Sequence, residues 1–226
     1  MTSILPFDEL NSFEASLRER FADGKLVKED EEDIIDEMLD LFLLAYAQGN
    51  SVTNANLSSD WMPTVDDVMK VIDAKVAGKT WRERAEEYFS KARNGEIPTF
   101  KAKGTTNQQK GSGESSAQSG LTNSVGSDSE IGGVSLPDAI IRIADTEMHR
   151  IANAAALETA RRDGARTKTW VTMMDDRVRD SHDYLLGQTV DIDEDFYTWD
   201  GAHAPAPGMF GVPEEDCNCR CECKFN

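Results

Sequence analysis

The sequence closes on Asp216-Cys217-Asn218-Cys219-Arg220-Cys221-Glu222-Cys223, and no other feature narrows the possible folds as far. All four cysteines of the 226-residue chain lie in this stretch. In an extended strand alternate side chains share a face, so the four sulfurs would point one way and Asn218, Arg220 and Glu222 the other. A bond between Cys217 and Cys219 would close a loop too tight for unstrained disulfide geometry. Together with His182 the sulfurs form a thiolate and imidazole set suited to structural zinc, with His182, Cys217, Cys219 and Cys221 as candidate ligands. The C-x-C spacing is tighter than the C-x2–4-C common in zinc fingers. Reduced thiols packed as small hydrophobes account for the same run, as do oxidation products or disulfides. A catalytic Cys–His pair needs one thiol singled out and activated, which four equivalent neighbours do not suggest.

The residues before the cysteines read as a small knot of short strands and turns. Trp170 to Met174 is apolar and β-prone and breaks at Asp175-Asp176. The run from Asp175 to His182 (DDRVRDSH) sets acids, guanidinium groups and an imidazole side by side. Arg177 has the fork geometry to tie two loops through bidentate carboxylate bonds. Leu185 and Leu186 lead to the turn residue Gly187. Val190, Ile192, Phe196 and Trp199 are the apolar members of the segment that follows, and five Pro and Gly residues between 205 and 213 make a compact irregular loop. These segments predict a small antiparallel sheet over about 169–174, 188–199 and 217–224.

A long helix leads into the knot. Pro137 suits a first turn, and Ile140, Ala144, Met148, Ile151, Ala155 and Thr159 follow at three- and four-residue steps. Arg161 and Arg162 favour a helix C-terminus, and Gly164 supplies the stop. Glu147 and His149, two residues apart, point to different sides and do not readily share a metal. Glu147 either pairs with Arg150 or Arg142 at a partly exposed position, or turns inward to brace the knot.

Residues 1–100 read as a helical region without visible chemistry. Phe7, Leu10, Phe13, Leu17 and Phe21 suggest one amphipathic helix. Ile34 to Ala45 suggest a second, closed by Gly49-Asn50. Thr64 with Asp67, and Thr80 with Glu83, have the spacing of capping boxes. Residues 101–134 are rich in Gly, Ser, Thr, Asn and Gln with few large apolar side chains. Such a stretch cannot offset its ordering entropy and reads as a flexible linker before a domain at 135–226.

Forty-two acids against 24 bases give a formal charge of −18. That field repels phosphate backbones, so strong nucleic-acid binding is not expected. No apolar run approaches the roughly 18 to 20 residues that span a bilayer, so no membrane association is expected. Met1–Pro6 lacks a basic n-region, which predicts synthesis and retention in a cytoplasm. Cysteines there are thiols or metal ligands before disulfides.

From Leu136 to Lys224 the chain resembles the phage Mu F-like head-morphogenesis proteins. Lys168-Thr169-Trp170, the acid–arginine–histidine run Asp176 to His182, Leu185 to Gln188, Pro207-Gly208 and Asn218 to Cys221 carry the resemblance. The family's arginine-threonine-glutamate core is Asp145-Thr146-Glu147 here, with aspartate in place of arginine. Cys217 and Cys223 lie outside the family's usual cysteine pair. With the helical reading of residues 1–100, the resemblance fits the α+β fold that the residues predict: a helical N-terminal region, a linker, then a long helix packed on a small antiparallel sheet. It also implies a minor head protein of a tailed phage or prophage, made in the host bacterial cytoplasm and carried in the virion. Such proteins act in procapsid assembly with the portal and other head proteins, and in some systems influence DNA packaging or ejection. Toxin domains follow the module in some members, and none is expected here. Glu147, Trp170, Asp176, Arg177, His182, Gly187, Asn218 and Arg220 are then structural motif residues. The alternative from another class is a small metal-dependent hydrolase or nuclease using His182 and the C-terminal cysteines.

Overall fold

The computed structural model describes residues 6–21, 28–58, 60–94, 100–101, 130–131 and 135–226. Helix α1 (Phe7–Arg20) buries Leu10, Phe13 and Leu17, the stripe its periodicity predicts. Helix α2 (Lys28–Leu57) does not stop at Gly49-Asn50 but runs two further turns. The reason is tertiary. Gly49 lies against the backbone of Ala152, and buried Asn50 donates from Nδ2 to Thr159 Oγ1 at 2.8 Å. Both residues that read locally as a stop are used for packing. Helices α3 (Val65–Ile72) and α4 (Trp81–Arg93) begin with the reciprocal capping boxes expected from Thr64/Asp67 and Thr80/Glu83.

Strands β1 (Phe100–Lys101) and β2 (Glu130–Ile131) pair antiparallel, Phe100 opposite Ile131. The remainder of the linker expected over 101–134 lies outside the described residues.

Helix α5 (Leu136–Arg162) is the spine. Ser135 Oγ accepts from the Asp138 N–H at 3.3 Å at its start, and Gly164, in the left-handed region at φ 80°, lies just past its end. Its main partner is α2, and it also touches α1, α3 and α4. Ile140, Ile143, Ala144, Met148, Ile151, Ala152 and Ala155 join one apolar core with Phe13, Leu17, Ile34, Met38, Phe42, Trp81 and Phe89. The helix is therefore shared: one side completes the core of the front helices and another carries the knot. Alanines at the crossing permit the close approach.

The knot comprises β3 (Thr167–Val171), α6 (Asp180–Leu185), β4 (Thr189–Asp191), β5 (Phe196–Tyr197), β6 (His203–Ala204), α7 (Pro213–Asp216) and β7 (Glu222–Phe225). The sheet runs β4-β3-β7, antiparallel throughout, with Thr169 opposite Thr189 and Trp170 opposite Cys223. β5 and β6 form a separate pair. The fold is thus α+β, with the long helix beside a small antiparallel sheet. Two of the predicted strands are shorter than expected. The segment 188–199 divides into β4 and β5 at a turn where the Glu194 N–H donates to Asp191 O. The cysteine run is not one strand: Cys217 ends α7, Asn218 is left-handed at φ 54°, and only Cys223 lies in β7. The knot has its own small core of Trp170, Leu185, Phe196, Cys219 and Cys221. Among the described residues no helix is long and apolar enough to cross a membrane.

Candidate functional site: a thiol and imidazole cluster beneath Trp170

Helix α5 meets the knot through polar groups. Asn153 Nδ2 donates to Cys221 O at 3.2 Å and to His149 O at 3.1 Å. The Pro-Gly loop closes over the same helix: a Cβ on Gly208 would lie 3.3 Å from the Arg150 Cα, so the loop backbone needs glycine there. Glu147 is neither partly exposed nor turned to the knot. It is 1% exposed, accepts from Arg150 Nε at 2.7 Å, and pairs with Arg84 of α4. Arg150 in turn donates to the carbonyls of Val71 and Ile72 at 2.9 and 3.1 Å. This network ties α5 to α3 and α4, on the side of the helical core.

The cluster itself forms where α6 lies over the turn between α7 and β7. His182 Nδ1 is 3.6 Å from Cys219 Sγ and 3.5 Å from Cys221 Sγ. One ligand atom from each of these three residues falls within 4.8 Å of the others. All three are buried, and Trp170 closes the cluster edge-on to the imidazole at 5.4 Å, with Phe210 stacked on the imidazole at 5.5 Å. On the far side of the ring, His182 Nε2 lies 3.0 Å from Glu215 Oε2, a charge contact short of hydrogen-bond alignment. The same carboxylate oxygen accepts from Ser181 Oγ at 2.8 Å. The line runs thiol, imidazole, carboxylate, hydroxyl.

The electrostatics follow from that line. Burial opposes a charged His182, but the Cys219 sulfur and the Glu215 carboxylate outweigh it and push the imidazole up to about 9. The neighbouring Cys221 thiol, and His182 against the cost of burial, hold Cys219 well below the usual thiol value. Cys221 moves the opposite way because its neighbour Cys219 takes the negative charge and burial adds to the effect. His182 holds Glu215 below the ordinary carboxylate range. Burial pushes Asp216 up to about 6, although it accepts the Phe210 and Gly211 N–H groups at 2.9 and 2.7 Å. Burial likewise pushes Cys223 up to about 12.

The structure brings together three of the four candidate ligands. Cys217 stands apart, beside Thr146 of α5, and its carbonyl accepts from the Arg179 guanidinium. The alternation argument fails for the backbone, because Asn218 turns the chain, yet Cys219 and Cys221 still converge. All four cysteines are free thiols. The bidentate tie expected of Arg177 is made by Arg220, whose Nη1 and Nη2 donate to Asp175 at 2.7 and 2.6 Å. Arg177 and Asp176 are exposed, and Arg177 offers only its backbone N–H to Asp175 at 3.1 Å. Gly187, at φ 79°, turns the chain so that its N–H donates to Trp170 O at 2.9 Å. Glu215, Ser181 and Lys168 are buried polar residues of the knot that the sequence does not single out as site residues. Lys168 Nζ donates to Ile192 O at 2.9 Å and sits over the Phe196 ring. The signal for Glu215 lay in Pro213-Glu214-Glu215-Asp216, but nothing local distinguishes one acid there from the next.

Fold and site together define an α+β module stapled by thiols and an imidazole, built on a helix that it shares with a helical bundle. The chain belongs to the phage Mu F-like family: residues 99–224 match the family described as Phage Mu protein F like protein. The match starts ahead of Leu136 and takes in α5 and the knot as far as Lys224 in β7. The sequence is 32% identical over 166 residues to NAD(+)–arginine ADP-ribosyltransferase EFV of Enterococcus faecalis (strain ATCC 700802 / V583), covering 71% of this chain and 31% of that protein. It is 35% identical over 81 residues to minor head protein GP7 of Bacillus phage SPP1, covering 34% of this chain and 26% of that protein. The chain thus spans under a third of the length of each of these relatives. No solved structure matches it.

Proposed function

We propose that the protein is a minor head protein of a tailed phage or prophage, carried in the virion, that acts in procapsid assembly with the portal and bears on DNA packaging or ejection. The observation that carries this reading is the family match over residues 99–224, which spans the knot from β3 into β7. The likeness to a phage minor head protein supports it. So does the surface of the knot, where Met173, Met174, Tyr184, Tyr197 and Trp199 are exposed. Methionine and aromatic side chains of this kind are enriched where proteins meet. The activity in the name of the Enterococcus protein is not carried over, because the chain spans 31% of that protein.

The competing reading is a small metal-dependent hydrolase or nuclease, and it draws on the Cys219–His182–Glu215 line. Against it, Cys219 is only 2% exposed and the hollow beside His182 encloses about 10 Å³. That volume accommodates roughly one water rather than a substrate. The formal charge of −18 also opposes a nucleic-acid substrate.

The test is co-expression with the portal protein of the same phage, affinity purification, and native mass analysis. Co-elution at a fixed ratio is expected. Elution of this chain free of the portal would overturn the portal association. Hydrolytic activity abolished by His182→Ala with the fold intact would favour the enzyme.

A further inference from the structure

We propose that His182 Nδ1, Cys219 Sγ and Cys221 Sγ bind one zinc ion, with Glu215 as the carboxylate that orients the histidine. Cys217 and Cys223 take no part. The inference does not depend on the phage-head reading.

Zinc–sulfur bonds of about 2.3 Å and zinc–nitrogen bonds of about 2.0–2.1 Å, at the tetrahedral angle, set the sulfur-to-nitrogen edge at about 3.6 Å. The two edges here are 3.6 and 3.5 Å. They already have the length of a zinc tetrahedron's edge.

Metal-bound histidines commonly direct their free N–H at a carboxylate, which fixes the tautomer and ring orientation. Here Nε2 faces Glu215 at 3.0 Å, and Ser181 anchors the same carboxylate oxygen at 2.8 Å. With the ring neutral and its proton on Nε2, the lone pair is on Nδ1, the atom that faces both sulfurs.

Two thiolates, one neutral imidazole and Zn²⁺ sum to zero, a state suited to a site walled by Trp170 and Phe210. Binding releases to solvent the imidazole Nδ1 proton and the thiol proton that remains on the cysteine pair. Among the described residues no further His, Cys, Asp or Glu joins the group. A hollow of about 10 Å³ borders His182 and Cys221 and is also lined by Arg177, Arg179, Asn218 and Arg220. One water fits there.

The test uses the full-length chain, reduced and stripped of metal, then titrated with zinc alone and with cobalt alone. One equivalent should bind. Cobalt should give the intense visible bands of a tetrahedral ion together with thiolate-to-metal charge transfer. Cys219→Ser and Cys221→Ser should each abolish stoichiometric binding and the charge-transfer band. Cys217→Ser and Cys223→Ser should retain both. Glu215→Gln, which keeps the packing, should weaken affinity roughly 10- to 100-fold. Failure of the reduced wild-type chain to take up either metal would overturn the site, as would loss of binding in Cys217→Ser or unchanged affinity in Glu215→Gln. The wild-type cobalt spectrum decides the matter even where a cysteine variant does not fold.

Discussion

Gly49 lies so close to Ala152 that a Cβ built on it would be 2.3 Å from the Ala152 carbonyl oxygen. This is the crossing of α2 and α5, the principal helix contact of the molecule. Alanine at this position gains about 1 kcal/mol of helix propensity. It also forces apart two backbones with no flexible side chain to yield, and overpacking of that kind costs about 1–3 kcal/mol. The clash is with backbone, so the steric cost should win. Gly49→Ala is expected to lower the urea midpoint, and a midpoint equal to or above wild type would show that the crossing relaxes freely.

Glu147 is buried against Arg150 and Arg84. Removing its charge leaves Arg150, itself 3% exposed, without its carboxylate. Breaking a buried pair from one side costs about 3–5 kcal/mol. Glu147→Gln is expected to fall near that range in equilibrium denaturation, and a loss below about 1 kcal/mol would mean that water or the Val71 and Ile72 carbonyls compensate.

Trp170 is fully buried and touches His182, Phe196 and Phe210. Truncating a large buried aromatic costs about 3–5 kcal/mol. The knot's core is small, so Trp170→Ala should open the knot while the helical core persists. Hydrogen exchange should show lost protection at β3, β4 and β7, with α2 retained. Uniform loss across the chain would show instead that the two cores unfold as one.

The caps make a pH prediction. The Thr64 N–H and hydroxyl hold Asp67 below the usual carboxylate value, the Thr80 N–H does the same for Glu83, and Ser135 for Asp138. A carboxylate depressed in the folded state contributes stability above its unfolded value of about 4 and loses it as pH falls through the folded value. Glu83→Gln should therefore be less stable than wild type near pH 7, and the gap should narrow as pH falls below about 4. A gap that persists in acid would point to lost geometry rather than lost charge.

Much of the fold was legible because its signals are local. The Thr-x-x-acid starts of α3 and α4 and the Pro137 to Gly164 span of α5 are capping and periodicity effects, which a few neighbouring residues determine. The convergence of His182 with the cysteine run was suggested by residue types alone. The details of the cluster were not legible, since they depend on how α7 folds back on α6. That fold-back selects Glu215 from a run of acids and sets Cys219 and Cys221, but not Cys217, against the imidazole. Arg220 rather than Arg177 grips Asp175 for the same reason: the partner is 45 residues away in the chain. Gly49-Asn50 is the clearest reversal. By sequence alone the pair ends a helix, because glycine there loses the most backbone entropy. In the folded chain the missing side chain admits Ala152, and Asn50 finds Thr159. Short-range chemistry determined where most elements start and stop. Only the tertiary packing, of α5 against α2 and the knot and of α7 against α6, decided which polar residues are buried, and with which partners.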